Sequence, residues 1–326
     1  MPLNSDIINT QPTSTPTSTG RNRRSLNRWQ ASPWRVESER TVGFEVAVVI
    51  FIVTWLAVTG WIVTKTSTLG SPDEAANRNF ITQLASTGDY HIPSPLSPAQ
   101  LKLFHPRSVL IQGTHILPGS FLGLIQVGAI LDRLAGPGAS RMLTPLLSLA
   151  CLLALYSIFR RFWSRGWSLL AVSLLAIHPV FLQFATLPYM HNGAFAAMLG
   201  ISGLALLRLL ELPTKWRAVI FGMAYGLALY FRPIEVLWTG PIVAIVLLAR
   251  GQWKNLSLAT LIAFLFQFPW LATNRQLYGS WFSSGYTPDG IFSDQLGTGA
   301  VTALVWRLFV PPGGWSWHWL SSAWWF

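Results

Sequence analysis

A succession of long apolar runs, each almost free of charge, sets the first limit on what this chain can become. The first, Val42 to Thr64, holds 23 residues and a single charge, Glu45, near its start. About 20 apolar residues suffice to cross a bilayer as a helix. Further runs follow from Ile116 to Leu131, Met142 to Phe159, Gly166 to Leu187, Gly193 to Leu207, Ala218 to Phe231, Pro233 to Ala249 and Leu256 to Thr273, with a partial one from Ala300 to Val310. Of 326 residues, 11% are charged and 51% hydrophobic, whereas a soluble domain carries about 25% charged residues. So few charges cannot cover a water-facing surface of this size, which excludes a soluble globular protein. Cys151 has no partner, which excludes a disulfide scaffold. The net charge of +11 raises nucleic acid as a partner. However, the basic residues are scattered between the apolar runs, where a membrane protein needs them for orientation, so no nucleic acid is expected. The expected class is an all-α, polytopic transmembrane helix bundle in the inner or plasma membrane.

The chain divides along its length. Residues 1–40 combine a Ser/Thr/Pro stretch with Arg21, Arg23, Arg24, Arg28, Arg35 and Arg40. They read as a disordered basic tail on the cytoplasmic side, because they lack the apolar surface to order themselves. The body, residues 41–312, carries two polar loops: a large first extracytoplasmic loop at 65–115 and a second at 274–299. The end, 313–326, holds Trp315, Trp317, Trp319, Trp324 and Trp325 and is expected in the interface that indole rings favour. The basic groups Arg160, Arg161 and Arg165, then Arg208, Lys215 and Arg217, then Arg250 and Lys254, decide the orientation. They fall on the cytoplasmic side together only if the 16-residue run Ile116 to Leu131 does not span. The expectation is that it is re-entrant or lies along the surface. The opposite face then gathers the 65–141 segment, the Leu187–Asn192 turn, the Arg232–Glu235 turn and the Asn274 loop.

Carboxylates are scarce, and Asp73-Glu74 is the only adjacent pair among twelve. It follows Pro72 at the start of an amphipathic stretch, Ala75 to Ala85, whose Phe80, Ile81, Leu84 and Ala85 are expected to rest on the bilayer. Acids in a first helical turn suit the helix dipole, and that bland role competes with a functional one. In an acid-poor membrane protein, a carboxylate pair at the surface favours function. Asp73 and Glu74 are therefore the candidate catalytic residues.

Read in order, Pro72-Asp73-Glu74, Thr87-Gly88-Asp89-Tyr90, His105-Pro106-Arg107-Ser108 and Pro118-Gly119-Ser120-Phe121-Leu122-Gly123 resemble the start of bacterial C-type membrane glycosyltransferases (GT-C fold), family 39. These are the relatives of protein O-mannosyltransferases and aminoarabinose transferases. Ile177-His178-Pro179, Phe231-Arg232-Pro233, Asn274, Leu277-Tyr278-Gly279-Ser280 and Gly285-Tyr286 extend the resemblance over roughly residues 42 to 300.

The resemblance implies transfer of a sugar from a polyprenyl-phosphate carrier to an acceptor on the extracytoplasmic face, with Asp73 binding or deprotonating the acceptor. Membrane lipids and the lipid-linked sugar are the implied partners, and no cofactor beyond that co-substrate is expected. The chemistry agrees: a phosphate-linked sugar already has a good leaving group, so one carboxylate and some cations suffice, where a glycosidase needs two facing carboxyls. Candidate substrate-binding residues are His105, Arg107, His191, Arg232 and Glu235. Lipid-headgroup contacts for Arg107, and mutual pairing of Arg232 with Glu235, are the structural alternatives. The turn Pro188–Asn192 has His191 where such enzymes often carry an acid, and relatives continue beyond this length, so a fragment is one expectation. No metal site is expected, because His91, His115 and Asp89 lack ligand spacing. His178 is expected to pack in a kinked helix, and Asp132-Arg133 to form a salt-bridged helix end. The competing classes are a lipid-linked sugar transporter or flippase and a non-catalytic assembly partner.

Overall fold

A computed structural model describes residues 42–65, 70–94, 96–97, 99–100, 108–282 and 285 of the chain. Among these residues run the α-helices α1 Val42–Lys65, α2 Pro72–Thr87, α3 Leu122–Ala135, α4 Leu143–Phe159, α5 Arg165–Ile177, α6 Pro179–Thr186, α7 His191–Glu211, α8 Lys215–Phe231, α9 Val236–Ala249 and α10 Trp253–Tyr278. Single 3-10 turns at Ala139–Met142 and Pro233–Glu235 lead into α4 and α9.

Among the described residues, four stretches are long and apolar enough to cross a membrane: Val46–Lys65, Ala139–Phe159, His191–Glu211 and Trp253–Tyr278. A fifth arises if α5 and α6, bent by 66° at the His178-Pro179 break, count as one span. Proline after His178 withholds the N–H that would continue α5 and starts α6 at its first position instead. His178 itself is exposed at this break rather than packed, contrary to the expectation from sequence. Large apolar side chains point outward along the long helices, Val49, Ile50, Val53 and Trp61 on α1 among them. That distribution suits hydrocarbon and not water, and the coarse class is a helical membrane bundle.

α8 is the centre of the bundle, packed on α7 on one side and α10 on the other. The approach to α10 requires Gly222 and Gly226: a Cβ on them would lie 2.7 Å from the Ala259 carbonyl oxygen and 2.8 Å from the Ala263 Cα. Two glycines four apart on one face let helix backbones meet where lipid offers no hydrophobic drive. Leu209, Phe221, Tyr225 and Leu247 close the core beside this contact. A second core joins α1 to α4, α5 and α6 through Trp55, Leu149, Leu152, Val172 and Ala185.

The Ile116 to Leu131 run is not one helix. Ile116 to Pro118 pair in a strand, and α3 starts at Leu122 with 14 residues, roughly 21 Å against the roughly 30 Å of hydrocarbon. α3 packs along α2, and Gly128 lies against Ile81 with no room for a Cβ, 2.7 Å from its Cδ1. The first loop also contains a small antiparallel sheet, an addition to the all-α expectation. Strands β1 Ile92–Pro93, β2 Val109–Gln112 and β3 His115–Pro118 lie in the order β1-β3-β2. Gly113, at φ +61, forms the tight hairpin with Thr114. The amphipathic face of α2 packs on protein and not on the bilayer: Phe80 and Ile81 are each 1% exposed, among Leu122, Ile125 and Tyr189.

Asp132 and Arg133 do not bridge each other. Asp132 accepts the Ser140 N–H at 2.7 Å, while Arg133 donates to the carbonyls of Ala85 and Leu84 at 2.9 and 2.6 Å. The guanidinium thus satisfies carbonyls of the last turn of α2, where a cation also suits the helix dipole.

Candidate functional site

Helix α2 begins as its sequence requires. Ser71 caps it, accepting the Glu74 N–H at 3.2 Å, and Pro72 opens the first turn. The two acids that follow diverge. Glu74 turns inward, is 1% exposed and accepts the Gly70 N–H at 2.7 Å. Burial pushes its carboxyl above the ordinary range, opposed by backbone N–H groups of Gly70, Ser71 and Tyr189. Through the Gly70 bond it ties down the segment before the helix. Asp73 stays half-buried and faces the hairpin, where Oδ1 accepts the Ser108 hydroxyl.

One turn further along α2, Asn77 is fully buried. Its amide donates to the Tyr189 carbonyl at 2.8 Å, and its Oδ1 accepts from the Ser120 hydroxyl at 2.7 Å. A single side chain therefore joins the helix bearing Asp73, the Pro118–Phe121 segment and the turn that leads into α7. His191 is the first residue of α7 and is 5% exposed. The Phe121 ring stands edge-on to it, centroids 5.2 Å apart, and Asp73 and Arg232 both lie within Coulombic range. Its Nδ1 is buried without a hydrogen-bond partner among the described residues.

Arg232 ends α8 with non-helical φ −145° and ψ 84°, because the following proline disfavours continuing the helix. Its Nη2 lies 2.9 Å from Glu235 Oε1, and its guanidinium carbon is 6.0 Å from the centroid of Phe195, one turn beyond His191 on α7. The Nε is buried with no partner among the described residues. Glu235 also accepts the Trp238 indole N–H. From Pro233, the residue after Arg232, a cavity of about 480 Å³ runs between α8, α9 and α10. Leu229, Val236, Val243, Phe264 and Leu271 line it, so its walls are apolar.

Separate parts of the sequence thus meet at one end of the helices. Asp73, His191, Arg232 and Glu235 gather there, while His105 and Arg107 lie outside the described residues. Tyr278 donates to the Pro118 carbonyl at 2.7 Å, and a Cβ on Gly285 would lie 2.3 Å from that same oxygen. The Asn274 side chain is fully buried near them. At the opposite helix ends sit the basic turns, two of them joined by the Arg161–Glu211 pair at 2.6 Å. Among the described residues no group of three or more His, Cys, Asp or Glu side chains is placed to hold a metal. His91 and Asp89 form an exposed pair at 2.7 Å, and the His91 bond holds the Asp89 carboxyl below its ordinary range.

Compared with protein-family models and with curated proteins, the chain matches none.

The contribution of Ser108, Asn77 and Ser120 escaped the sequence reading. Asn77 carries a visible signal, an amide four residues after Asp73 and hence on the same helical face. Ser108 carries none, since only the hairpin brings it back to α2.

Proposed function

We propose that this chain transfers a sugar from a polyprenyl-phosphate carrier to a hydroxyl acceptor at the membrane surface. One observation carries the reading: a carboxylate, a buried imidazole and an arginine lie within electrostatic reach of one another, and an apolar groove between helices starts at Pro233, the residue after that arginine. A lipid-phosphate substrate presents that combination, a long hydrocarbon chain ending in a charged phosphate. The groove takes part of the chain, and Arg232, whose Nε has no partner among the described residues, meets the phosphate. Asp73 accepts the acceptor proton. The acceptor oxygen then forms its bond to the anomeric carbon while the carbon–oxygen bond to phosphate breaks, and the phosphate leaves with the electron pair. Arg232 stabilises the charge that develops on it. His191, within electrostatic reach of both Asp73 and Arg232, is a hydrogen-bonding group for the sugar or the phosphate.

The site is assigned to the extracytoplasmic face, because the basic turns at Arg160, Arg208 and Arg250 occupy the other end of the helices and positive residues favour the cytoplasm. The membrane is the inner or plasma membrane, with the N-terminus inside.

The test is binding of decaprenyl phosphate to the full chain in nanodiscs, read by native mass spectrometry, together with release of decaprenyl phosphate from decaprenyl-phosphate sugars. Arg232→Ala is expected to weaken lipid-phosphate binding by one to two powers of ten, the value of a charge-assisted contact of about 1.5 to 3 kcal/mol. Arg232→Lys falls between, since an ammonium lacks the planar fork. Equal binding of decaprenyl phosphate and decaprenol by the wild type refutes the phosphate assignment.

A further inference from the structure

Ser108 is held in a backbone conformation that its residue type does not favour. Its φ is 63°, and it is the one non-glycine with positive φ among the described residues. A Cβ crowds the backbone there, so glycine or asparagine is the usual occupant. The surroundings enforce the conformation. The Gly119 N–H donates to the Ser108 carbonyl at 2.9 Å. Gly119 sits so close that a Cβ on it would lie 2.6 Å from both the Ser108 carbonyl carbon and the Val109 nitrogen. Gly285 presses on Gly119 from the other side, with 2.6 Å between a Cβ there and the Gly119 Cα. The hairpin itself would be served by glycine at position 108, so the side chain is what the site retains. That side chain donates its hydroxyl to Asp73 Oδ1, and no described residue bonds Oδ2.

We propose that Ser108 is a positioning residue for Asp73, fixing Oδ1 so that Oδ2 alone faces the acceptor and takes its proton. The inference rests on the glycosyl-transfer reading above. In the step, the acceptor O–H bond breaks, its proton moves to Oδ2, and Ser108 keeps its own proton throughout. Backbone strain at an outlier of this kind is retained where a site uses it.

Ser108→Gly isolates the hydroxyl, because glycine adopts positive φ freely and relieves the strain. The full chain in proteoliposomes is assayed for release of decaprenyl phosphate from decaprenyl-phosphate hexoses and pentoses. The Asp73 carboxylate is followed as the infrared band present in wild type and missing from Asp73→Asn. In Ser108→Gly the melting temperature is expected to stay level or rise and the carboxylate band to move. The kcat is expected to fall roughly tenfold, the effect of one lost hydrogen bond, with donor KM unchanged. Ser108→Asn restores most of the rate, since asparagine suits this φ and its amide donates. An unmoved band, or a wild-type kcat in Ser108→Gly beside an inactive Asp73→Asn, overturns the role of Ser108 and leaves the transfer reading standing. Full turnover in Asp73→Asn, or no turnover of any donor by the wild type, overturns the transfer reading and the catalytic part of this proposal with it.

Discussion

Replacing Asn77 with alanine tests whether one buried amide holds the site together. The side chain is 0% exposed and makes two hydrogen bonds, at 2.8 Å to the Tyr189 carbonyl and 2.7 Å from the Ser120 hydroxyl. Ser120 is itself 1% exposed and Tyr189 3%, so water does not readily replace the lost partner. Each buried polar group left unsatisfied costs about 1 to 3 kcal/mol, and Asn77→Ala strands two, for a total of about 2 to 6 kcal/mol. Ser120→Ala strands only the Asn77 oxygen and is expected to cost about 1 to 3 kcal/mol. The double variant leaves only the Tyr189 carbonyl stranded, so its cost falls below the sum of the two, a coupling that a double-mutant cycle reads directly. The assay is denaturant unfolding of the purified full chain in detergent, followed by tryptophan fluorescence, with hydrogen exchange at Tyr189 and Met190 as the local readout. Stability of Asn77→Ala within about 0.5 kcal/mol of wild type, the range of an ordinary surface substitution, refutes the claim that this residue fastens α2 to the α7 turn.

Two further predictions concern orientation and pH. In a Cys151→Ala background, Ser86→Cys, at the exposed end of α2, is expected to react with an impermeant maleimide added outside intact cells, and Ser164→Cys, exposed before α5, is not; labelling of position 164 from outside reverses the assigned face. Burial raises the Glu74 carboxyl from its ordinary 4.5, so the folded chain holds that proton to higher pH than the unfolded one. Its contribution to stability is therefore greatest below pH 4.5 and is lost as pH rises through the raised value. Glu74→Gln, which keeps an oxygen for the Gly70 N–H, should flatten that part of the pH–stability curve, and an unchanged slope counts against the burial effect.

Much of the fold is legible along the chain. Apolar runs marked α1, α4, α7 and α10, because a span must satisfy its own backbone within one helix and therefore shows as uninterrupted hydrophobicity. Proline after His178 marked the 66° break. Ser71-Pro72-Asp73-Glu74 marked the start of α2, since capping and dipole preferences act within four residues. The weak run Ile116 to Leu131 stood out through Pro118, Gly119, Gly123 and Gly128, and the structure divides it between a strand and α3. The small sheet was missed, because strands of two and four residues leave almost no periodicity to read.

The sequence by itself determined what depends on nearby residues: the membrane class, the helix ends and the basic turns. Tertiary structure decided what depends on packing between distant segments. Asp73 and Glu74 are neighbours in one helical turn, yet one faces the Ser108 hydroxyl and the other the Gly70 amide. The face of Phe80 and Ile81 meets α3 and not lipid, because Gly128 leaves room for Ile81. Arg232, at the end of α8, lies over the Phe195 ring of α7, and Asn77 joins segments 43 and 112 residues away. Periodicity tells which side of a helix is apolar. Whether protein or lipid covers that side is set by the close contacts of other helices, which no local pattern encodes.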